Sequence, residues 1–369
     1  MKKKLLLITI ILSFWGCSKT VDDEIHGCNI PELVYEGDII FYSQKDIDNF
    51  GEQGYTKING KVQIIGNETI LEHFPFLELD PTLMVDDINN LKGLSCVSEI
   101  NGYVSIVGPS NLINLNGLEN LTKITDGLAI TFNEALENLS GLNNLSSLGV
   151  SLYIDNNPLL ESINELNNLT NFVGQITIGS NNSLINLKGL DKLTMVSYLN
   201  INKNLYLSDL SGLENLKIVS GLNIQFNSNL ENIGALKNLN SVGMGITIEF
   251  NKRLKNLYGL NGIKTLSNLR IANNPTLKNL IGLDNLTKVG RELSIGFNDN
   301  LESLNGLESL NLIGGYDEFG RGTLEIGYNE ALKNFCAIKN VQPGLYYNVG
   351  NNAYNPTEEQ LKSTNECSQ

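Results

Sequence analysis

Residues 128–154 read LAITFNEALENLSGLNNLSSLGVSLYI, and the spacing of their apolar side chains decides the architecture of the chain. Leu128 and Ile130 alternate with Ala129 and Thr131, the two-residue period of a short strand with one buried face. Leu136, Leu139, Leu142, Leu145 and Leu148 then recur at every third residue, without the fourth-residue step of an α-helix. On an α-helix that spacing drifts by about 60 degrees per step and smears the leucines round the barrel. A backbone that turns every three residues keeps them on one side. Leu152 and Ile154 open the next strand, so one unit is a single coil made of a strand and a chain of tight turns.

The unit repeats along most of the chain. Aligned on L-x-I-x-x-N, it places Asn133, Asn157, Asn181, Asn204, Asn227, Asn251, Asn274 and Asn298 at intervals of 23 or 24 residues. Pro109 takes the same slot one period earlier and Asn329 one longer period later, while an irregular coil around Val62, Ile64 and Asn67 reads as the first turn. A coil of this size cannot bury its leucines alone, so successive coils must stack into a solenoid. The asparagines form a structural ladder: an inward amide at the end of each strand pairs with backbone groups that a buried turn would otherwise leave unpaired. Gly117, Gly141, Gly189, Gly212, Gly259, Gly282 and Gly306 precede the leucine of an L-x-G-L step, with Glu165 and Ala235 breaking the pattern. Glycine disfavours a helix at that point and suits a corner. The N-L-T and N-L-S triplets beginning at Asn120 and Asn144 are repeat sequence, not glycosylation sites.

These units, L-x-I-x-x-N-x-x-L-x-x-L-x-G-L-x-x-L over about residues 55 to 340, resemble the receptor L domain, the leucine-rich β-helix of the insulin and epidermal growth factor receptor ectodomains, in its Bacteroidota lipoprotein form. Gly37 to Phe50 followed by Tyr55-Thr56-Lys57-Ile58, and Val349-Gly350-Asn351-Asn352-Ala353-Tyr354-Asn355-Pro356-Thr357 ahead of Cys367, reinforce the resemblance. It implies a ligand-binding or adhesive module whose ligand varies among members. The sequence carries no cysteine-rich module, spanning helix or kinase, so no signalling role follows. The expected fold is an all-β-rich solenoid: a right-handed leucine-rich-repeat β-helix of about ten coils of 23–24 residues with capped ends. Ser43-Gln44-Lys45-Asp46 is placed to start a short helix ahead of Ile47 and Phe50, and Thr357-Glu358-Glu359-Gln360 is a capping box at the other end.

The N-terminus predicts export. Met1, three lysines and an apolar run from Leu5 to Gly16 form a signal segment, too short for the roughly 20 apolar residues of a spanning helix. Phe14-Trp15-Gly16-Cys17 resembles a lipobox, with Phe14 and Trp15 departing from its usual Leu and small residue, and makes Cys17 the expected lipidation site. An ordinary secreted protein cleaved nearby is the alternative. Ser18 to Glu24 is a polar, acidic tether resembling the surface-export signal of Bacteroidota lipoproteins, or else a plain solvated linker. The expected divisions are 1–16 signal peptide, 17–27 tether, 28–100 N-terminal cap and first irregular coils, 101–340 solenoid and 341–369 C-terminal cap. The expected location is the outer membrane, lipid-anchored, at the cell surface.

Removing residues 1 to 16 takes three lysines and no acids, moving the formal charge from −14 to −17. Such a surface repels nucleic acid and anionic head groups, so nucleic acid is excluded as a partner and the membrane is met only through the lipid. Cys28, Cys96, Cys336 and Cys367 remain, two towards each end. Of their three possible connectivities, Cys28 with Cys96 and Cys336 with Cys367 are the local ones and read as clasps in an oxidising compartment; free buried thiols are the alternative.

Stacked strands create two outward columns, the face on which chemistry would have to sit. The first runs from Ser105 through Ala129, Tyr153, Thr177, Asn200, Asn223, Thr247, Arg270 and Ser294 to Glu325, and the second from Val107 through Thr131, Asp155, Gly179, Asn202, Gln225, Glu249, Ala272 and Gly296 to Gly327. Asp155 and Glu249 fall four coils apart, roughly 19 Å, beyond the 5 to 9.5 Å of a glycosidase pair. His26 and His73 both precede the repeats, and neither column assembles a nucleophile with its base or a metal cluster. No catalytic residue, cofactor or metal is therefore expected. The candidate ligand-binding residues are Tyr153, Thr177, Asn200, Asn202, Asn223 and Gln225 on the strands. Tyr316, Phe319 and Arg321 join them from an insertion of about seven residues before Asn329, as residue types that dominate binding hot spots. A second insertion, Glu68 to Asn90, is apolar at Phe74, Phe76, Leu77 and Leu79 and reads as packing over the first coils. The expected function is a non-catalytic binding or adhesion scaffold for a protein or glycan. The alternatives are a carbohydrate-active enzyme on a β-helix and a passive structural surface protein.

Overall fold

In the computed structural model, residues 28, 32–66, 87–170, 172–315, 322–341, 346–363 and 366–369 are described. Cys17, the tether, Asn67, most of the Glu68 to Asn90 insertion, and Tyr316, Phe319 and Arg321 lie outside them.

Each coil forms as its leucines require. Leu136, Leu139, Leu142 and Leu145 have no exposed surface, and the N–H groups of Leu142 and Leu145 donate to the carbonyls of Leu139 and Leu142 at 3.0 Å, a three-residue turn at each step. Stacking the coils builds a solenoid of parallel strands with few helices. Thirteen strands, from Ile39–Phe41 to Tyr346–Gly350, follow one another in a single major sheet. A minor sheet of five strands runs from Val34–Glu36 to Ser147–Leu148. The run of about twelve turns exceeds the ten coils counted from the repeat. Beyond the ten repeat coils stand Val62–Ile65, the irregular first turn read from Val62 and Ile64, and two rungs not anticipated, Ile39–Phe41 and Tyr346–Gly350, whose residues depart from L-x-I-x-x-N.

The 23- and 24-residue periods differ at one corner, between the last buried residue of the minor-sheet segment and the first of the major strand. Leu148 to Leu152 and Val242 to Ile246 are four steps; Val196 to Leu199, Val219 to Leu222 and Leu266 to Leu269 are three. Where the corner shortens, the two segments fuse into one strand, as in Met195–Asn202, Ile218–Gln225 and Thr265–Ala272. Their four-step neighbours stay in the sheet through register shifts between Val219 and Gly221 and between Leu266 and Asn268, the signature of a β-bulge. The insertion before Asn329 leaves the coil at this same corner, between Leu312–Ile313 and Thr323–Gly327.

The asparagine ladder is buried along its whole length. The backbone N–H and Nδ2 of Asn133 both donate to Oδ1 of Asn157, at 3.2 and 2.9 Å, and Nδ2 also donates to the Ile106 carbonyl of the previous coil. The same links run through Asn329 to Asn352, one rung beyond the asparagines of the repeat. At the start of the ladder, Oδ1 of Asn133 is buried without a donor. Pro109 holds the preceding slot and has no N–H to offer.

Both ends are tied. The helix Gln44–Gly51 begins in a Ser43/Asp46 capping box and buries Ile47 and Phe50, the latter among Tyr35, Phe41 and Tyr55. Glu358–Lys362 begins in a Thr357/Gln360 capping box and buries Leu361. Disulfides join Cys28 to Cys96 and Cys336 to Cys367. No helix among the described residues is long and apolar enough to cross a membrane.

Candidate functional site

The strand register places the two outward columns as the repeat predicts: Tyr153 pairs with Ala129 and Thr177, and Asp155 with Thr131 and Gly179. A third column stands at the corner, running from Lys61 through Tyr103, Gly127, Ser151 and Gln175 to Tyr198. Small residues open the face. Ala129 and Gly179 leave room beside Tyr153 and Asp155, and a Cβ at Gly179 would overlap Oδ1 of Asp155.

The result is a cleft of about 890 Å³ over the first half of the major sheet. Tyr103 and Tyr153 line it with Val107, Ala129 and Phe132; Asp126, Asp155, Thr177, Asn202 and Lys61 supply its polar groups. The ring of Tyr103 lies over Gly127, where a Cβ would come within 2.7 Å of Cε2. Burial pushes the Tyr103 phenol up, with the neighbouring Tyr153 adding to the shift and the Ser151 hydroxyl opposing it. Burial also raises the Asp155 carboxyl above the usual aspartate range, against the lowering pull of Lys203 and hydrogen bonds from Ser180 and Asn156, whose Nδ2 donates to Oδ2 at 2.7 Å.

Asp126 stands before one strand and Asp155 at the far end of the next. About five residues of strand and one rung, roughly 17 Å, separate their backbones. Glycosidase carboxyl pairs span about 5 to 9.5 Å, so these two do not make one. Among the described residues, no group of three or more His, Cys, Asp or Glu is placed to hold a metal ion.

Tyr153, Thr177 and Asn202 thus meet in one cleft, with Asn200 beside Thr177 in the register. Asn223 and Gln225 do not join them. Gln225 Nε2 donates to Glu249 at 2.8 Å and Asn223 Nδ2 to Gln225 at 3.2 Å, while Arg270 pairs with Glu249 and donates to Ser294 Oγ at 3.0 Å. That half of the face is occupied by its own polar network. Sequence reasoning missed Lys61, Tyr103 and Asp126, which belong to the corner, and Phe132, which follows the strand. The signal that could have found them is the register itself, extended one residue beyond each strand end. No protein-family model and no curated protein matches the sequence.

Proposed function

We propose that this chain is a receptor L domain-like leucine-rich-repeat lipoprotein of the Bacteroidota type, coiled right-handedly, anchored in the outer membrane through Cys17 and displayed at the cell surface. Its solenoid holds a ligand without transforming it, and of the protein and glycan ligands open to such a scaffold the cleft favours a glycan. The observation that carries this reading is the meeting of Tyr103 and Tyr153 with Asp126, Asp155, Thr177 and Asn202 in one open cleft. Tyrosine offers an apolar face to the C–H side of a sugar and a polar tip to its hydroxyls, and carboxylate and amide groups complete the hydrogen bonding. The wide separation of the two carboxylates leaves bond cleavage without its acid and base.

Screening wild-type and Tyr153→Ala protein on glycan and host-protein arrays tests this. The expected result is glycan binding that Tyr153→Ala abolishes; binding to proteins alone, unchanged in the variant, would overturn it. Cys17→Ala should release the protein from the membrane, and protease added to intact cells should digest the wild type.

A further inference from the structure

The residue just before each ladder asparagine has a left-handed backbone, and along the second half of the major sheet this position is filled by Phe226, Phe250, Asn273, Phe297 and Tyr328, with φ between 56 and 59°. Asparagine tolerates that conformation and aromatic residues disfavour it, so four aromatics are held here against local preference. The coil imposes this backbone at Asn156, Ser180 and Lys203 as well, so what sets the second half apart is the row of aromatic rings that fills it. Phe226 and Phe250 stack at 4.4 Å and 5°, and Phe297 and Tyr328 at 4.6 Å and 2°. All four remain 36 to 52% exposed.

Asn273 interrupts what would be a continuous stack of five rings. Between Phe250 and Phe297 lie two rungs, roughly 9.5 Å. We propose that this gap is a binding slot for one saturated six-membered sugar ring, gripped between the inner faces of Phe250 and Phe297. Carbon atoms make their best contacts at about 3.5 to 4.0 Å, so a flat aromatic guest would leave about 2 Å of slack. A puckered pyranose chair, with axial C–H bonds above and below its mean plane, takes up that slack. The Asn273 amide forms the floor. It is part-buried, and its side chain joins none of the ladder hydrogen bonds made by the adjacent Asn274, which leaves a donor and an acceptor for sugar hydroxyls. The slot lies three rungs beyond Asn202 of the cleft and uses none of the cleft's residues. It shares with the glycan reading of the cleft only the class of ligand.

The test is saturation-transfer NMR and calorimetric titration with cellotetraose, mannotetraose, xylotetraose and chitotetraose, performed on Tyr153→Ala protein so that the cleft is disabled. At least one tetrasaccharide should bind, at least tenfold more weakly in Phe250→Ala or Phe297→Ala, and not at all once Asn273→Phe fills the slot. The last variant should fold, because phenylalanine adopts the same conformation at 226, 250 and 297, and its melting temperature verifies this. No binding by any of the four sugars, or binding indifferent to Asn273→Phe, would overturn the slot. Sugar binding lost in Tyr153→Ala but kept in Asn273→Phe would overturn the slot and leave the cleft reading standing; the reverse pattern would do the opposite.

Discussion

Single asparagines carry more of this fold than their polarity suggests. Asn227 has no exposed surface; its Oδ1 accepts from both N–H and Nδ2 of Asn204, and its own Nδ2 donates to the Ile201 carbonyl at 3.0 Å. Asn227→Ala strands those groups where water does not reach, and should lower stability by about 1 to 3 kcal/mol in chemical denaturation. Pro109→Asn should act in the opposite direction. It supplies the donors that Asn133 Oδ1 lacks, and a gain of about 1 kcal/mol is expected after the loss of proline's restraint on the unfolded chain. Asp155 makes a different residue-scale case. Its folded pKa is raised, chiefly by burial, so its ionisation favours the unfolded chain. Stability from this group is full below the ordinary aspartate range and declines as pH rises through the raised value. Asp155→Asn should therefore melt higher than wild type at neutral pH, with the advantage vanishing in strong acid, while weakening ligand binding. Equal melting temperatures at neutral pH would contradict it.

Corners are the elements that distinguish one coil from the next. At the L-x-G-L step, Gly141 has φ +112° and a Cβ there would overlap the Leu115 carbonyl of the coil beside it. Where the repeat has Glu165 or Ala235 instead, the chain forms the 3₁₀ helices Asn164–Asn168 and Gly234–Asn238. Two turn geometries thus serve one corner, and the helical one is also taken by Leu91-Lys92-Gly93-Leu94, where Gly93 lies within the 3₁₀ helix Lys92–Leu94. Gly141→Ala should cost about 1 to 3 kcal/mol through strain and overlap. Ala235→Gly, which only loosens a helical turn, should cost about 1 kcal/mol, and comparable denaturation midpoints for the two would refute the distinction. Much of this was legible beforehand, because leucine at every third residue has one physical reading and the ladder asparagines mark each strand end. The fusion of the two sheets was not, since a period of 23 or 24 residues does not say where the lost residue sits. Nor was the cleft complete: Tyr103 and Asp126 belong to the corner, which the strand period does not cover. The asparagines of the N-L-T and N-L-S triplets tie each coil to the one before it. Asn144 Nδ2 donates to the Glu119 carbonyl of the previous coil at 2.7 Å, and Asn120 and Asn168 donate likewise to the Ser95 and Asn143 carbonyls.

At the scale of the whole molecule, a stack of identical coils is stable in its middle and vulnerable at its ends, where core and strand edges lack a neighbour. The two capped helices and two disulfides are placed there. Replacing both Cys336 and Cys367 by Ser should let the C-terminal end open first, so that hydrogen exchange loses protection at Tyr346–Gly350 while Gly127–Thr131 stays protected. Uniform loss along the solenoid would mean that the disulfide acts on the global equilibrium instead. Along the major sheet the strand residues of the first half line an open cleft, while Gln225, Glu249 and Arg270 of the second half are tied to one another and leave the aromatic residues ahead of the ladder asparagines exposed beside them. That difference supports the proposed cleft as the main binding site, and the separation of Asp126 from Asp155 supports the proposal of binding without turnover. The decisive measurement is an equilibrium titration of wild-type and Tyr153→Ala protein with an array-selected glycan, with the glycan recovered and its mass determined. The account predicts saturable binding at least tenfold weaker in the variant and a glycan of unchanged mass; equal affinity in the two proteins, or a shortened glycan, would contradict it.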